Sequence, residues 1–201
     1  MNSGTVRASN YKLQTEILMQ KLQEIVDRLS DQRDELIQSV SGLSEAQLDY
    51  KVDADRWAIS DILHHLALVD EANLKLGAIM LKQAEERNLG PDPSPEASVL
   101  NSLDGLAPSN SGRMQAPERV RPKSHIPAHE SLARLREARA RFLEAVDLLA
   151  PYDLSLLLYP HPLLGPINLY QWFLMTGVHE GRHVAQITGI KAAPGFPASQ
   201  E

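Results

Sequence analysis

Residues 176–187 read TGVHEGRHVAQI. His179 and His183 stand four apart, so on a helix their imidazoles share one face, one turn apart. Neutral imidazole nitrogens ligate divalent metals, and H-E-x-x-H is the spacing with which zinc proteases hold their ion and supply a glutamate general base. That chemistry also needs a third ligand. After His183 the only carboxylate is Glu201, in a Pro/Gly tail. The longer protease pattern H-E-x-x-H-x-x-G-x-x-H fails as well, because Gln186 and Gly189 stand at its last two fixed places. No strand is there to align a peptide. The histidine pair therefore calls for a third ligand from elsewhere and for chemistry other than proteolysis.

An upstream segment, DILHHLALVDE at 61–71, offers two more imidazoles. Ile59, Ile62, Leu66 and Val69 set the apolar centre of a helix there. His65 flanks that centre, beside Asp61, Leu68 and Ala72, and is expected to point inward. His64 lies nearly opposite, with Ser60, Ala67 and Glu71, and is expected to face solvent. His65, His179 and His183 then make a three-histidine set with open coordination positions, the layout of catalytic zinc sites. Gln186 is one turn beyond His183, and Asp61 one turn before His65. Each is a candidate to fix an imidazole tautomer, or else an ordinary polar residue of a helix surface. Glu180 is a candidate catalytic base next to a ligand, although a surface pairing with Arg182 is the plainer reading. His161, in YPHPLLG, is a candidate proton relay or a brace for its loop. Arg119 and Arg121, in PERVRP, either hold an anionic substrate or are solvated loop charge, the simpler case.

Four amphipathic helices must position these groups. The first, about 11–40, carries Leu18, Leu22, Ile25, Leu29, Leu36 and Val40 at three-to-four spacing and stops at Ser-Gly. A connector with a capped turn at SEAQ leads to the second, about 59–88. The third, about 128–150, has the stripe Leu132, Leu135, Ala138, Phe142, Val146 and Leu149. The fourth spans about 167–190 and is apolar nearly all round, which places it centrally. Residues 89–127 are dense in Pro, Ser, Gly and Asn and read as a long irregular loop. The connector PYDLSLLLYPHPLLGP shows no strand pairing. The fold class is all-α, a four-helix bundle, in a single domain over 11–190 with tails at 1–10 and 191–201.

Bulk composition narrows the function. The chain has 201 residues, a net charge of −6, 43% hydrophobic and 23% charged residues, and no cysteine. The absence of cysteine removes disulfides, thiolate zinc sites and a cysteine nucleophile. No basic stripe favours nucleic acid or a membrane surface. No apolar run is long enough to span a bilayer and no signal peptide is visible, so a cytoplasmic protein is expected.

With these residues in place the chain resembles the DinB/YfiT-like four-helix proteins. The resemblance lies in Trp57, with His65-Leu66 eight positions on, and in HExRH followed by Gln186-Ile187. HPLLG and MQAPERVRP support it, over about residues 15–190. Ala58 departs from the Ser or Thr usual after the Trp. The resemblance implies an unusual connection order and one divalent metal (zinc, nickel or iron) on His65, His179 and His183. It also implies a metal-dependent enzyme of the thiol S-transferase or maleylpyruvate-isomerase type, acting on a small electrophile with a low-molecular-weight thiol, and a homodimer. A metal-dependent hydrolase and a non-catalytic metal-binding or stress-associated bundle are the alternatives.

Overall fold

The computed structural model describes residues 3–94, 97–104, 115–162 and 164–198, with side chains from residue 21 onward except that of Asp147. In chain order the elements are α1 (Ser3–Val40), a short α2 (Glu45–Leu48), α3 (Ile59–Glu86), α4 (Ala128–Leu149), β1 (Leu158–His161), β2 (Gly165–Asn168) and α5 (Leu169–Lys191). No helix among the described residues is long and apolar enough to cross a membrane.

The four long helices follow the sequence periodicity, with two differences at the ends. α1 begins at Ser3, within the stretch expected to be a tail. Residues 5–14 contain neither Pro nor Gly, so nothing there interrupts helical hydrogen bonding. The tail after α5 is tied down as well. Tyr50 Oη donates to the Pro194 carbonyl at 2.8 Å, and Gln47 Nε2 to that of Pro197 at 2.9 Å. The expected capped turn is α2, where Ser44 accepts from the Gln47 amide and the Gln47 side chain accepts from the Ser44 amide.

The connector before α5 does contain strands, contrary to expectation. β1 and β2 pair antiparallel, Leu158 opposite Asn168 and His161 opposite Gly165. Four-residue strands reading LYPH and GPIN are too short to show alternation. Pro160 faces Pro166, which keeps proline's missing donor out of the inner ladder bonds. The turn closes through Gly165, whose φ of 71° an L side chain rarely adopts.

By its contacts the chain forms two compact units. Each of the four long helices contributes a stretch to both. One unit comprises Met1–Leu29, Leu76–Ser111 and Phe142–Met175. Its core joins Leu22, Ile25 and Leu29 of α1 to Met80, Leu154, Leu157, Leu169 and Phe173. The first part of the long loop is bound within this unit. Asp92 takes Lys21 Nζ at 2.7 Å and the Tyr170 hydroxyl at 3.2 Å, and Glu24 accepts from Ser98 Oγ and the Val99 amide. The second unit comprises Ser30–Lys75, Gly112–Arg141 and Thr176–Glu201. Its core is built from Leu36, Ile59, Ile62, Leu63, Leu66, Leu135, Val184 and Ile187. Here the far end of the loop forms a 3-10 turn, Glu118–Val120, with Val120 buried. On its described stretches the loop is therefore irregular as expected, apart from this turn and the tethers.

Candidate metal centre

The second unit holds all three imidazoles on adjacent stretches of α3 and α5. His65, His179 and His183 each present one ligand nitrogen, and these nitrogens lie within 4.8 Å of one another. The His65 ring is 5.2 Å from that of His179 and 5.0 Å from that of His183, and the last two are 4.6 Å apart, all edge-to-face. His65 is buried, while the other two are partly exposed, so the cluster has a wet side.

Hydrogen bonds settle two tautomers. His65 Nδ1 is 2.7 Å from the Val120 carbonyl, which only accepts, so Nδ1 carries the proton and Nε2 keeps its lone pair. His183 Nδ1 is 3.0 Å from Gln186 Oε1, again an acceptor, which leaves His183 Nε2 free to ligate. His65 Nε2 and His179 Nε2 are 3.0 Å apart. Two imidazoles on one ion at about 2.0–2.1 Å stand about 3 Å apart when their bonds are near a right angle, so the donors fit a shared cation.

Burial disfavours the charged form of both oriented histidines. It lowers the His65 pKa below the usual value, against the pull of the Val120 carbonyl and with the help of His64 nearby. It pushes His183 down to about 4, with His65 adding to the fall and the Gln186 bond opposing it. Neutral imidazole is the ligating form. Trp57 covers the cluster, its ring 4.9 Å from His65 and stacked 6.4 Å from His183.

The remaining residues singled out in the sequence fall in several places. Gln186 orients His183, as just described. Asp61 instead caps α3: its carboxylate accepts the Ala58 amide at 3.0 Å and meets Lys51 Nζ at 3.3 Å, and the bond that fixes His65 comes from Val120. Asp61 thereby supplies the N3 half of a capping box, while the other half, a side-chain acceptor for the Asp61 amide, is missing because Ala58 has no hydroxyl.

Glu180 differs most from expectation. It is 1% exposed and pairs with Arg33, not with Arg182. Arg33 Nε donates to Oε1 at 2.6 Å and Nη2 to Oε2 at 3.3 Å. A carboxylate held in that fork is no exposed base. Burial raises its pKa, and the Arg33 guanidinium limits the rise. His64 is also inside, 6% exposed, because the face of α3 that carries it is buried too, at Ser60 and Ala67. His161 belongs to the other unit, on β1, with its ring 4.9 Å from Trp172. Arg119 is exposed, and Arg121 bonds to Glu118 and to the Ala116 carbonyl within its own loop.

Sequence reasoning missed the Val120 carbonyl and Arg33. A backbone acceptor leaves no mark on residue type. Arg33 did leave one: it interrupts the stripe Ile25, Leu29, Leu36, Val40 at a core position, which calls for a buried acid opposite.

Comparison with known proteins places this arrangement. Residues 28–187 match the DinB superfamily. YuaE of Bacillus subtilis (strain 168), an uncharacterized protein, is 27% identical over 153 residues, covering 76% of this chain and 88% of YuaE. Among solved structures, YfiT from Bacillus subtilis aligns with a TM-score of 0.56 at 18% identity, over 87% of this chain and 88% of YfiT. YfiT is described as a probable metal-dependent hydrolase with an unusual four-helix bundle topology. At that identity the likeness is one of fold, and it makes this chain a four-helix bundle with a minor β-hairpin, in line with the expected fold class. The family match takes in α3, α4 and the histidine-bearing part of α5, and by it the chain belongs to the DinB superfamily.

Proposed function

We propose that His65, His179 and His183 bind one divalent metal ion and that the chain is a metal-dependent enzyme acting on a small molecule. The observation that carries this reading is the convergence of three imidazole nitrogens within 4.8 Å of one another, with the Nδ1 of His65 and of His183 each held by an acceptor so that Nε2 keeps its lone pair. Imidazole suits zinc, nickel and iron alike, so the donor set admits each. Such an ion would act as a Lewis acid with positions left for water or substrate. The chain's own residues do the rest. Val120 and Gln186 orient the ligands, and the Trp57 indole walls off one side of His65 and His183. Glu180, bound by Arg33, takes no proton from substrate, so any proton acceptor at the centre is something other than this glutamate.

Hydrolysis is the reaction favoured, because YfiT, with the same fold, is described as a probable metal-dependent hydrolase. Thiol S-transfer rests on the family resemblance alone. The first test is metal analysis of the purified chain beside a His179→Ala/His183→Ala variant, and equal metal in both would refute the site. The second is turnover of ester, amide and electrophilic probes with zinc, nickel or iron, with and without a low-molecular-weight thiol. Metal-dependent turnover without thiol supports hydrolysis, strict dependence on thiol supports transfer, and binding with no turnover makes the chain a metal-binding protein.

A further inference from the structure

The buried ion network beside the imidazoles is larger than one pair. The Arg33 guanidinium, on α1, bonds at once to Glu180 on α5, to Asp70 Oδ2 on α3 at 2.7 Å, and to the Leu135 carbonyl on α4 at 2.6 Å. Arg139 Nη2 approaches Glu180 Oε2 at 3.6 Å. Arg33 is 5% exposed. Burial alone would lower its pKa, and Glu180 and Asp70 more than offset that, so the charge stays. One planar group thus touches all four long helices of the second unit.

A buried ionic network is a poor source of stability, since apolar residues of like volume often do as well. It is a good source of register, because hydrogen bonds fix direction and apolar contacts tolerate sliding. The attachment points matter here. Asp70 lies on the histidine-bearing stretch of α3, just over one turn past His65, and Glu180 is the residue after His179. Both helices that carry imidazoles are therefore held to the same guanidinium. A metal site needs its donors held to within about 0.5 Å.

We infer that Arg33 is a positioning residue for the metal centre: it sets α3 against α5 so that His65 meets His179 and His183. The inference rests on the metal-binding reading above. It also explains the glutamate of the H-E-x-x-H pattern, which serves as the acceptor for Arg33.

The test is titration of the full-length chain with Co2+, read by visible absorption and by competition with a chromophoric chelator. Wild type, His65→Ala, Arg33→Met, Arg33→Lys and Glu180→Gln are compared, with helicity and melting followed in parallel. Arg33→Met, folded, is expected to weaken Co2+ binding by about 10–100-fold and to change the absorption bands. Arg33→Lys keeps the charge but not the fork, so it is expected to fall between Met and wild type; it also serves if the Met variant does not fold. Glu180→Gln keeps the shape and is expected to lose least. Wild-type affinity and bands in folded Arg33→Met and Arg33→Lys, with only the melting temperature lowered, would overturn the inference and make Arg33 purely structural. Co2+ binding equal in wild type and His65→Ala would instead sink the metal reading, and the positioning role with it.

Discussion

Truncating Glu180 to alanine leaves Arg33 buried with its closest side-chain partner gone. The bonds lost are those at 2.6 and 3.3 Å, and the bonds kept are to Asp70 at 2.7 Å and to the Leu135 carbonyl at 2.6 Å. Removing one partner of a buried pair costs about 3–5 kcal/mol, because the other charge stays without compensation. Asp70 still faces the guanidinium, so the expected cost lies near the lower end, about 3 kcal/mol. With a urea slope of about 2 kcal/mol/M, the unfolding midpoint falls by about 1.5 M. Circular dichroism in urea, on metal-free protein, measures it. Arg33→Met and the double variant Arg33→Met/Glu180→Ala complete the cycle. Because the two changes remove members of one network, the double variant should lose less than the sum of the singles, with a coupling of about 2 kcal/mol. A general base open to solvent behaves differently, since its loss leaves the midpoint almost where it was. An unchanged midpoint in Glu180→Ala, or a double variant that loses the full sum of the singles, would refute the reasoning.

Gln186→Ala frees His183 Nδ1 from its acceptor and is expected to weaken metal binding about tenfold with little change in helicity, as read by chelator competition. Asp92 gives a pH prediction. Burial works to raise its pKa, but the Lys21 ammonium, the Ser94 amide and the Tyr170 hydroxyl outweigh it and hold the group below the usual aspartate value. The folded state thus favours the carboxylate. Its contribution is complete above the unfolded pKa of about 4 and is lost as pH falls below that, so Asp92→Asn should flatten the acid limb of a stability-versus-pH curve. Gly181→Ala is expected to be tolerated and to gain up to about 1 kcal/mol of helix propensity. The added methyl meets only the far end of the flexible Gln32 side chain, and a thermal melt that drops by several degrees would refute this.

The helices were legible because each long one carries a stripe whose period no strand imitates. α3 and α4 begin and end within a few residues of where caps and prolines place them. The hairpin was not legible, since four residues on each side of a turn are too few for a period and both strands contain proline. For the site, His65 could be found from its angle to the apolar centre of α3. The same method misplaced His64. A wheel gives direction relative to one apolar centre, and the nominal back face of α3 is also interior here, with Ser60, His64 and Ala67 all buried. The loop acceptor at Val120 had no sequence signature, because the group that fixes His65 is a peptide carbonyl.

Glu180 had a signature that the motif hid. It lies on the stripe Phe173, Gly177, Glu180, Val184, Ile187, spaced by three and four, and Phe173, Gly177, Val184 and Ile187 are buried with it. His179 and His183 lie on the neighbouring stripe, one residue before Glu180 and three after it. Successive residues of an α-helix differ by about 100°, so the residue after His179 sits to one side of the imidazole face. The motif spacing alone leaves two outcomes open: a glutamate leaning toward the ion from an exposed flank, or one directed into the core. Which occurs depends on the stripe to which the glutamate belongs. An acid on a core stripe needs a buried cation, and here α1 supplies Arg33 in place of an apolar residue at the matching position. Where an H-E-x-x-H helix carries its glutamate on the apolar stripe and another helix carries a lone arginine on its own, the pair should be read as a buried ion pair before a catalytic role is assigned.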